Sequence, residues 1–228
     1  MRGRPLMQIA IIGAGGFAHE LAWHIENSQV ISFENSTVNE PDFVFISKDD
    51  ALKKSIGSFK VKPEYEFLNS AESKKSFFSV AIGDTNTRIS ITNNYIGRGL
   101  YSASIISNFA RIGFETSLGK GSIICPNVTI MPGVQIGNFF QAHLNSYVAH
   151  NCIIGDFVTL LPGSMVSGYV TVEDHALIGA GAIIRNGTAS KRIRIGKSAI
   201  VGMGSVVTND VPDGHVVVGN PAKTLYKL

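Results

Sequence analysis

A six-residue repeat runs through the second half of this 228-residue chain. Aliphatic or alanine side chains occupy every sixth position from Ile112 to Ile184, thirteen positions in succession without a polar residue. Mostly small side chains stand two positions before each of them, and Phe140 is the one bulky exception. This period fits neither the 3.6 residues of a helical turn nor the unbroken alternation of a long strand. Repeats of fixed period indicate a stacked architecture.

A short strand with two inward residues, followed by a turn, explains a period of six. Three such sides close a triangular coil of 18 residues, and successive coils pair as parallel strands about 4.8 Å apart. Each aliphatic residue then rests on the one 18 positions away, so the core is a continuous column. The sequence therefore predicts a parallel β-helix.

The repeat changes register after Ile184. The next aliphatic position is Ile195, eleven residues further on, which is one repeat plus five inserted residues. Counting by 18 places His150, Gly168 and Asn186 in one vertical file at the same corner of the coil. We therefore expect the inserted loop to leave the β-helix at the corner that carries His150.

The first half of the chain is typical of a strand, a glycine loop and a helix. An apolar strand over residues 7–12 is followed by Gly13, Gly15 and Gly16 and then by a helical pattern of apolar residues. Glycines allow close backbone approach, and the free N–H groups at the start of a helix attract phosphate. About 100 residues precede the repeats, which is half of a full dinucleotide domain, so we expect a ligand of mononucleotide size.

A nicotinamide site is the alternative for this half. The segment from Gly13 to Ala18 satisfies Gly-x-Gly-x-x-Ala, and Glu34 lies 21 residues after Gly13 at the end of an expected second strand, residues 30–33. A single match of this kind is weak evidence.

Composition excludes several classes of protein. The 20 basic and 17 acidic residues leave a net charge of +3, too small to suggest a nucleic-acid binder. Cys125 and Cys152 form neither a secreted disulfide framework nor a zinc or redox pair, so a cytoplasmic location is the simplest expectation. Polar residues interrupt the uncharged stretch 121–155, which argues against membrane insertion. We expect no metal site, and we assign no role to residues 1–6.

Four segments in order resemble the hexapeptide-repeat sugar acyltransferases, a family that includes sialic acid O-acetyltransferases and N-acetyltransferases of nucleotide-linked 4-amino sugars. The segments are the loop 13–16, Ala81–Asp84 with Arg88, Val148–Gly155 and Val218–Lys223. The resemblance implies an α/β, Rossmann-like nucleotide-sugar domain over residues 7–105 and a left-handed parallel β-helix over residues 106–228. It also implies acetyl-CoA as co-substrate and a homotrimer.

The resemblance assigns roles to three residues at one corner. His150 aligns with the family's catalytic histidine, which accepts a proton from the attacking sugar group, a role that suits the near-neutral pKa of an imidazole. The family usually has Glu or Asp next, but this chain has Asn151, which orients a ring yet cannot stabilise an imidazolium as a carboxylate does. Gly168 aligns with a glycine whose N–H contacts the acetyl oxygen. Without the resemblance, a histidine hydrogen-bonded at a coil corner is the better explanation of His150, and a glycine required by a tight corner explains Gly168 equally well.

The resemblance also suggests two binding surfaces. Glycine N–H groups and a guanidinium suit a diphosphate, and the residues after a strand suit the base or ribose. The candidate nucleotide-sugar residues are Gly13, Gly15, Gly16, Glu34, Asn35, Asp84 and Arg88. Small residues keep the upper coils low enough for a pantetheine arm, and basic residues of the inserted loop suit the phosphates. The candidate coenzyme residues are Gly168, Gly179, Ala180, Gly181, Lys191, Arg192, Gly202, Pro221 and Lys223. Repeat corners, a solvated loop and a helix cap at Asp84 are the structural alternatives.

The sequence thus predicts an acetyl-CoA-dependent N-acetyltransferase that acts directly on the amino group of a nucleotide-linked amino sugar in bacterial surface-glycan biosynthesis, with His150 as general base. O-acetylation of a sialic-acid-type sugar is the nearest alternative. A nicotinamide oxidoreductase and a non-catalytic β-helix scaffold are alternatives from other classes. Apolar residues expected on the outside of the prism, among them Met165 and Ile183, favour self-association.

Overall fold

A computed structural model describes residues 8–26, 31–33, 36–38, 41–48, 54–71 and 73–228 of the chain. The chain divides into two compact units, Met1–Asn108 and Phe109–Leu228, which are described separately below. The predicted functional division at residues 105 and 106 stays a prediction. Among the described helices, none is long and apolar enough to cross a membrane.

The first unit alternates strands and helices. Its helices are α1 (Gly16–Glu26), α2 (Glu64–Asn69) and α3 (Thr85–Gly97), with a single turn of 3-10 helix at Ser73–Lys75. Its strands are β1 (Gln8–Ile12), β2 (Ile31–Phe33), β3 (Ser36–Val38), β4 (Asp42–Ser47), β5 (Ser55–Ile56), β6 (Phe59–Pro63), β7 (Phe77–Val80), β8 (Tyr101–Ser102) and β9 (Ile105–Ile106).

The central sheet of this unit has the order β5-β6-β4-β1-β7-β8. All neighbouring pairs are parallel except β5 and β6. The apolar run from Ile9 to Ile12 is buried, as expected of a strand covered on both faces. The chain moves outward from β1 through β4 and β6 on one side and through β7 and β8 on the other. The order therefore reverses at β1, and ligands of such sheets bind at the carboxyl ends of the strands at this point.

The second strand of the chain does not pair with β1. Residues 31–33 pair antiparallel with Ser36–Val38 as a separate hairpin, and β4 lies next to β1 instead. A parallel strand beside β1 must be apolar on both faces, and the buried run from Phe43 to Ile46 meets that requirement. The strand expected over residues 30–33 is thus present as Ile31–Phe33, but it lies outside the parallel sheet.

The second unit is a parallel β-helix of very short strands. They are β10 (Arg111–Ile112), β11 (Ser117–Leu118), β12 (Ile123–Ile124), β13 (Thr129–Ile130), β14 (Gln135–Ile136), β15 (Gln141–Ala142), β16 (Tyr147–Val148), β17 (Ile153–Ile154), β18 (Thr159–Leu160), β19 (Met165–Val166), β20 (Val170–Val172), β21 (Leu177–Ile178), β22 (Ile183–Ile184), β23 (Ile193–Ile195), β24 (Ile200–Val201), β25 (Val206–Val207), β26 (His215–Val218) and β27 (Lys223–Lys227).

Three sheets form the sides of the prism. Their orders are β10-β13-β16-β19-β22-β25, β11-β14-β17-β20-β23 and β12-β15-β18-β21-β24-β26-β27. The register advances by 18 residues from coil to coil, so Ile130 pairs with Val148 and Val148 with Val166. These inward side chains are at most 1% exposed. Each contributes about 1.5–3 kcal/mol by burial, so the column holds the coils together.

The register confirms the predicted insertion. Above β20 the paired residues are 23 apart instead of 18, as in the pair Val172 and Ile195. The difference equals the five inserted residues. Gly187 donates its N–H to the Gly168 carbonyl at 3.0 Å, and Ile193 donates to the Tyr169 carbonyl at 3.3 Å. The loop therefore leaves the β-helix at the corner that carries His150.

The corners of the coils have a regular backbone. A residue with positive φ stands at every sixth position from Glu115 to Gly181. Glycine and asparagine tolerate this conformation at low cost, and Asn151 with φ of 60° is one example. The predicted fold, a Rossmann-like α/β domain followed by a parallel β-helix, is confirmed.

Candidate active site

His150 lies on the outside of the β-helix. The strand β16 ends at Val148, which points inward, so His150, two residues further, stands at the following corner with its side chain exposed to solvent. Asn151 takes the left-handed conformation that turns the chain. The repeat therefore fixes where the imidazole emerges.

A hydrogen bond orients the His150 ring. Its Nδ1 lies 2.9 Å from Oδ1 of Asn151. Because an amide oxygen only accepts, this contact places the ring proton on Nδ1 and leaves the lone pair on Nε2. The neutral ring can therefore accept a proton at Nε2.

Gly168 lies directly against the imidazole. A Cβ atom built at Gly168 would stand 2.8 Å from Cε1 and 2.9 Å from Nε2 of His150, closer than non-bonded atoms approach. Among the described residues, none accepts a hydrogen bond from the Gly168 N–H, whereas its carbonyl accepts from Gly187. The corner thus brings a free ring nitrogen and a free backbone donor together.

Tyr169 and Thr171, which the sequence did not indicate, and Arg192, a candidate coenzyme residue, complete this corner. The Tyr169 ring stands edge-on to the His150 ring, with 5.3 Å between the centroids and 85° between the planes. The Arg192 guanidinium lies 6.0 Å from the centroid of the same Tyr169 ring. Nε of Arg192 donates to Oγ1 of Thr171 at 2.9 Å. Tyr169 and Thr171 belong to the coil above His150. Spacing by 18 predicts which coil lies there, but it does not predict which of its side chains contact His150 or Arg192.

The candidate coenzyme residues of the upper coils have different surroundings. A Cβ at Gly179 would meet the backbone of the next coil, and one at Gly202 would stand 2.7 Å from the Val218 side chain. These two glycines permit close packing of successive coils. Gly181 faces open space, with no atom within 4 Å of such a Cβ, and Ala180 accepts the Gly204 N–H at 2.9 Å.

The remaining coenzyme candidates lie near the end of the chain and in the inserted loop. Lys191 lines a cavity of about 460 Å³ together with Arg185, Thr208 and Asp210. Pro221 and Lys223 are exposed in and beside the turn between β26 and β27.

The glycine loop of the first unit borders a crevice at the carboxyl ends of β1, β4 and β7. The crevice has a volume of about 390 Å³. Gly13 has a φ of +128°, and a Cβ there would stand 2.7 Å from the Ala81 carbonyl oxygen, so only glycine fits. Gly15 and Gly16 have no atom within 4 Å of such a Cβ, which leaves their backbone open to a ligand.

Asp84 and Arg88 have structural contacts beside this crevice. Oδ1 of Asp84 accepts the Thr87 N–H at 2.8 Å and caps α3, and hydrogen bonding from the side chain and the backbone of Thr87 lowers the pKa of the Asp84 carboxyl. The Arg88 side chain is 1% exposed and donates from Nη1 to the Ile82 carbonyl at 3.3 Å. Burial lowers the pKa of Arg88 to about 10, so the guanidinium remains charged at neutral pH. Among the described residues that line the crevice, neither Asp84 nor Arg88 occurs.

The structure adds polar residues to the crevice that the sequence did not single out. Ser47 and Lys48 line it at the end of β4, and Glu64 lines it at the start of α2. The hydroxyl of Tyr95 donates to Oε1 of Glu64 at 3.0 Å, and burial raises the pKa of that hydroxyl. The sequence does not show that β4 lies beside β1, so it could not indicate that the residues at the end of β4 reach this crevice. Glu34 and Asn35 lie outside the described residues.

Both units match known families. Residues 8–95 match the PglD N-terminal domain, and residues 151–186 match the bacterial transferase hexapeptide repeats. A GDP-perosamine N-acetyltransferase of Escherichia coli O157:H7 is 40% identical over 216 residues, which cover 94% of this chain and 95% of that protein. The chain belongs to the hexapeptide-repeat sugar acyltransferases. Membership makes it an acyltransferase and decides against the oxidoreductase and scaffold alternatives.

Two solved structures of related proteins share the fold along nearly the whole chain. WeeI of Acinetobacter baumannii AYE is 36% identical with a TM-score of 0.85, and the match covers 96% of this acyltransferase and all of WeeI. The acetyltransferase domain of PglB from Neisseria gonorrhoeae FA1090, in complex with acetyl coenzyme A, is 28% identical with a TM-score of 0.81. That match covers 96% of this chain and all of the PglB domain.

Proposed function

We propose that this acyltransferase transfers the acetyl group of acetyl-CoA to the amino group of a nucleotide-linked amino sugar, in bacterial surface-glycan biosynthesis. The observation that carries the proposal is the exposed His150 ring, which has Nδ1 bonded to Asn151 and Nε2 free beside Gly168. Two comparisons support these substrates. A GDP-perosamine N-acetyltransferase is similar over 94% of this chain, and the related PglB domain was solved in complex with acetyl coenzyme A.

His150 acts as the general base in this reaction. The sugar nitrogen attacks the thioester carbon while Nε2 accepts a proton from the amine, which forms the C–N bond and a tetrahedral intermediate. The intermediate collapses, the C–S bond breaks, and the sulfur of CoA leaves with the proton from the imidazolium. The amide product and free CoA account for every atom.

Two further features favour direct transfer. The Gly168 N–H has no hydrogen-bond acceptor among the described residues, so it is available to stabilise the negative oxygen of the intermediate. Cys152 is buried, and burial raises the pKa of its thiol. A protonated, buried thiol is a poor nucleophile, so no acyl-cysteine intermediate is needed.

The nucleotide sugar occupies the crevice of the first unit in this proposal. Gly15 and Gly16 offer backbone N–H groups at the start of α1 to the diphosphate, and Lys48 supplies a positive charge. Glu64 would repel phosphate, so it faces a part of the ligand that donates hydrogen bonds, such as the base or the ribose. GDP-linked sugars are the first acceptors to test, because the similar enzyme is named for one.

The coenzyme extends from the His150 corner along the upper coils. Gly181 leaves open surface there, and Lys191 lies at the cavity of the inserted loop. We keep Gly179, Ala180, Gly202, Pro221 and Lys223 as candidate contacts of the coenzyme. The homotrimer implied by the family resemblance belongs to the same proposal, as does a cytoplasmic location.

Release of CoA thiol in the presence of GDP-, UDP-, dTDP- and CMP-linked amino sugars tests the proposal. We expect release with an amino-sugar acceptor and an amide bond in the product by mass spectrometry and NMR. His150→Ala lowers kcat by about 100- to 10,000-fold, because a general base contributes that much. An ester product would assign the O-acetyltransferase alternative, and full activity of His150→Ala would exclude His150 as the base.

A further inference from the structure

Arg192 stands on the same corner as His150, and two of its three side-chain nitrogens, Nε and Nη2, donate to the β-helix. Nη2 donates to the Asn151 carbonyl at 2.6 Å and to the Val170 carbonyl at 3.1 Å. Nε donates to Oγ1 of Thr171 at 2.9 Å. One guanidinium thus joins the inserted loop to two successive coils. A side chain with these bonds is fixed, whereas a phosphate contact on a solvated loop needs donors that face outward.

The bond to the Asn151 carbonyl bears on the candidate base. Asn151 holds Nδ1 of His150 through its side-chain oxygen and stands in the left-handed conformation. A carboxylate offers two equivalent oxygens, so a half-turn about its last bond still presents an acceptor to the ring. An amide offers one oxygen, and a rotated amide would present its NH₂ group and reverse the tautomer of the ring. An Asn partner therefore needs a more closely fixed backbone than Asp or Glu needs.

Arg192 also lies near Tyr169, which is a second neighbour of the His150 ring. The guanidinium lies near the face of Tyr169, whose ring stands edge-on to His150. Gly168 lies against the imidazole as well. Asn151, Gly168 and Tyr169 are therefore neighbours of the exposed ring, and Arg192 bonds the first and lies 6.0 Å from the ring centroid of the last.

We propose that Arg192 is a positioning residue, which fixes Asn151 and Tyr169 and thereby the orientation and tautomer of the His150 ring. This role rests on the proposed function of His150 as the base. It differs from the phosphate contact expected from the sequence, because the guanidinium acts through the β-helix and does not touch the coenzyme.

Steady-state kinetics of three variants separate the two roles. For Arg192→Ala we expect kcat to fall about tenfold or more, because small displacements of a reacting group are costly, while KM for acetyl-CoA stays within about twofold. Arg192→Lys does not restore kcat, because an ammonium cannot reach three acceptors with the geometry of the guanidinium. The matched control is Arg194→Ala, which removes ion pairs with Glu173 and Asp213 on the same unit and leaves kcat unchanged.

A milder variant guards against loss of the fold. Thr171→Val is nearly isosteric and removes the acceptor of Nε, and we expect kcat to fall about fivefold with an unchanged KM for acetyl-CoA. The proposal is wrong if Arg192→Ala raises that KM at constant kcat and Arg192→Lys restores it. It is equally wrong if Arg192→Ala changes neither constant. Should Arg192→Ala not fold, an unchanged kcat in Thr171→Val would overturn the proposal.

Nitrogen NMR of the imidazole tests positioning without any turnover. The His150 signals are assigned from their loss in His150→Ala. In the wild type we expect one tautomer with the proton on Nδ1, and in Arg192→Lys or Thr171→Val a mixture. If no nucleotide sugar is acetylated, the proposed function fails while this measurement still decides the role of Arg192. An identical tautomer ratio in all variants would contradict the positioning role.

Discussion

At the scale of single residues, the candidate site depends on one position that has no side chain. Gly168 follows β19 one coil above His150, and the imidazole occupies the space where its Cβ would be. Its backbone lies outside the left-handed region, so glycine is required by the contact with His150 and not by the turn. Of the two explanations left open by the sequence, the conformation of the corner does not require a glycine here, and the functional role stays a prediction.

Gly168→Ala displaces the ring of His150. The new methyl group would stand 2.8 Å from Cε1, and the exposed imidazole can swing away from it. We expect kcat to fall about 100-fold while the melting temperature changes little, because the backbone conformation accepts alanine. Kinetics and thermal unfolding of the same preparation check this. Wild-type kcat in Gly168→Ala would mean that the ring position in the structure is not the productive one.

At the scale of elements, Asp84 shows how a candidate binding residue can have a structural role. It stands at the N-cap of α3, and its carboxylate accepts the Thr87 N–H. A capping carboxylate at a helix N-terminus is stabilising, and it would repel a diphosphate. Asp84 therefore holds the start of α3 beside the crevice, whose lining includes Thr87 and Ile91 of that helix.

Asp84→Ala should cost about 1 kcal/mol of stability, and Asp84→Asn should cost little because Asn is also a good cap. The pKa of Asp84 is lowered in the folded protein, so its stabilising effect is complete above the ordinary carboxyl pKa and is lost as the pH falls through the lowered value. As the pH is lowered below about 4, the melting temperature of the wild type should thus fall relative to that of Asp84→Asn, whose cap does not titrate. Equal melting temperatures of wild type and Asp84→Ala at neutral pH would contradict the capping role.

The elements also show what the sequence can predict. The six-residue period predicted the parallel β-helix, its 18-residue register and the loop at the His150 corner, because every coil repeats one local rule. The sheet order of the first unit has no such rule. The sequence has two short apolar segments that could lie beside β1, residues 31–33 and Phe43–Ile46. The structure places the second one there, where it is buried. For the same reason Ser47 and Lys48 were missed, whereas the glycine loop, which depends on local conformation, was found.

Contacts between side chains of different coils are a second feature that the sequence could not predict. Spacing by 18 places Thr171 one coil above Ile153 but does not tell that Arg192 returns from the inserted loop to bond it. Such contacts depend on the path of a loop, which has no repeat. The sequence indicated a basic loop, and the structure shows which of its residues points inward.

At the scale of the whole molecule, one side of the β-helix exposes apolar side chains that favour self-association. Tyr147, Met165 and Ile183 stand in register on successive strands of the sheet that also contains β10 and β25. Met165 is 43% and Ile183 40% exposed. A file of partly exposed apolar residues is typical of a surface that another chain covers. We propose that it is covered in the homotrimer.

Light scattering tests this proposal. We expect three times the mass of one chain, and we expect Met165→Lys with Ile183→Lys to shift the mass toward that of one chain, because burying two ammonium groups is unfavourable. Both positions point outward, so the circular dichroism of the β-helix should be unchanged. If acetyl-CoA lies between neighbouring copies, KM for acetyl-CoA rises in the double variant. A wild-type mass of a single chain would exclude the trimer, and a trimer that persists in the double variant would place the interface on another side of the prism.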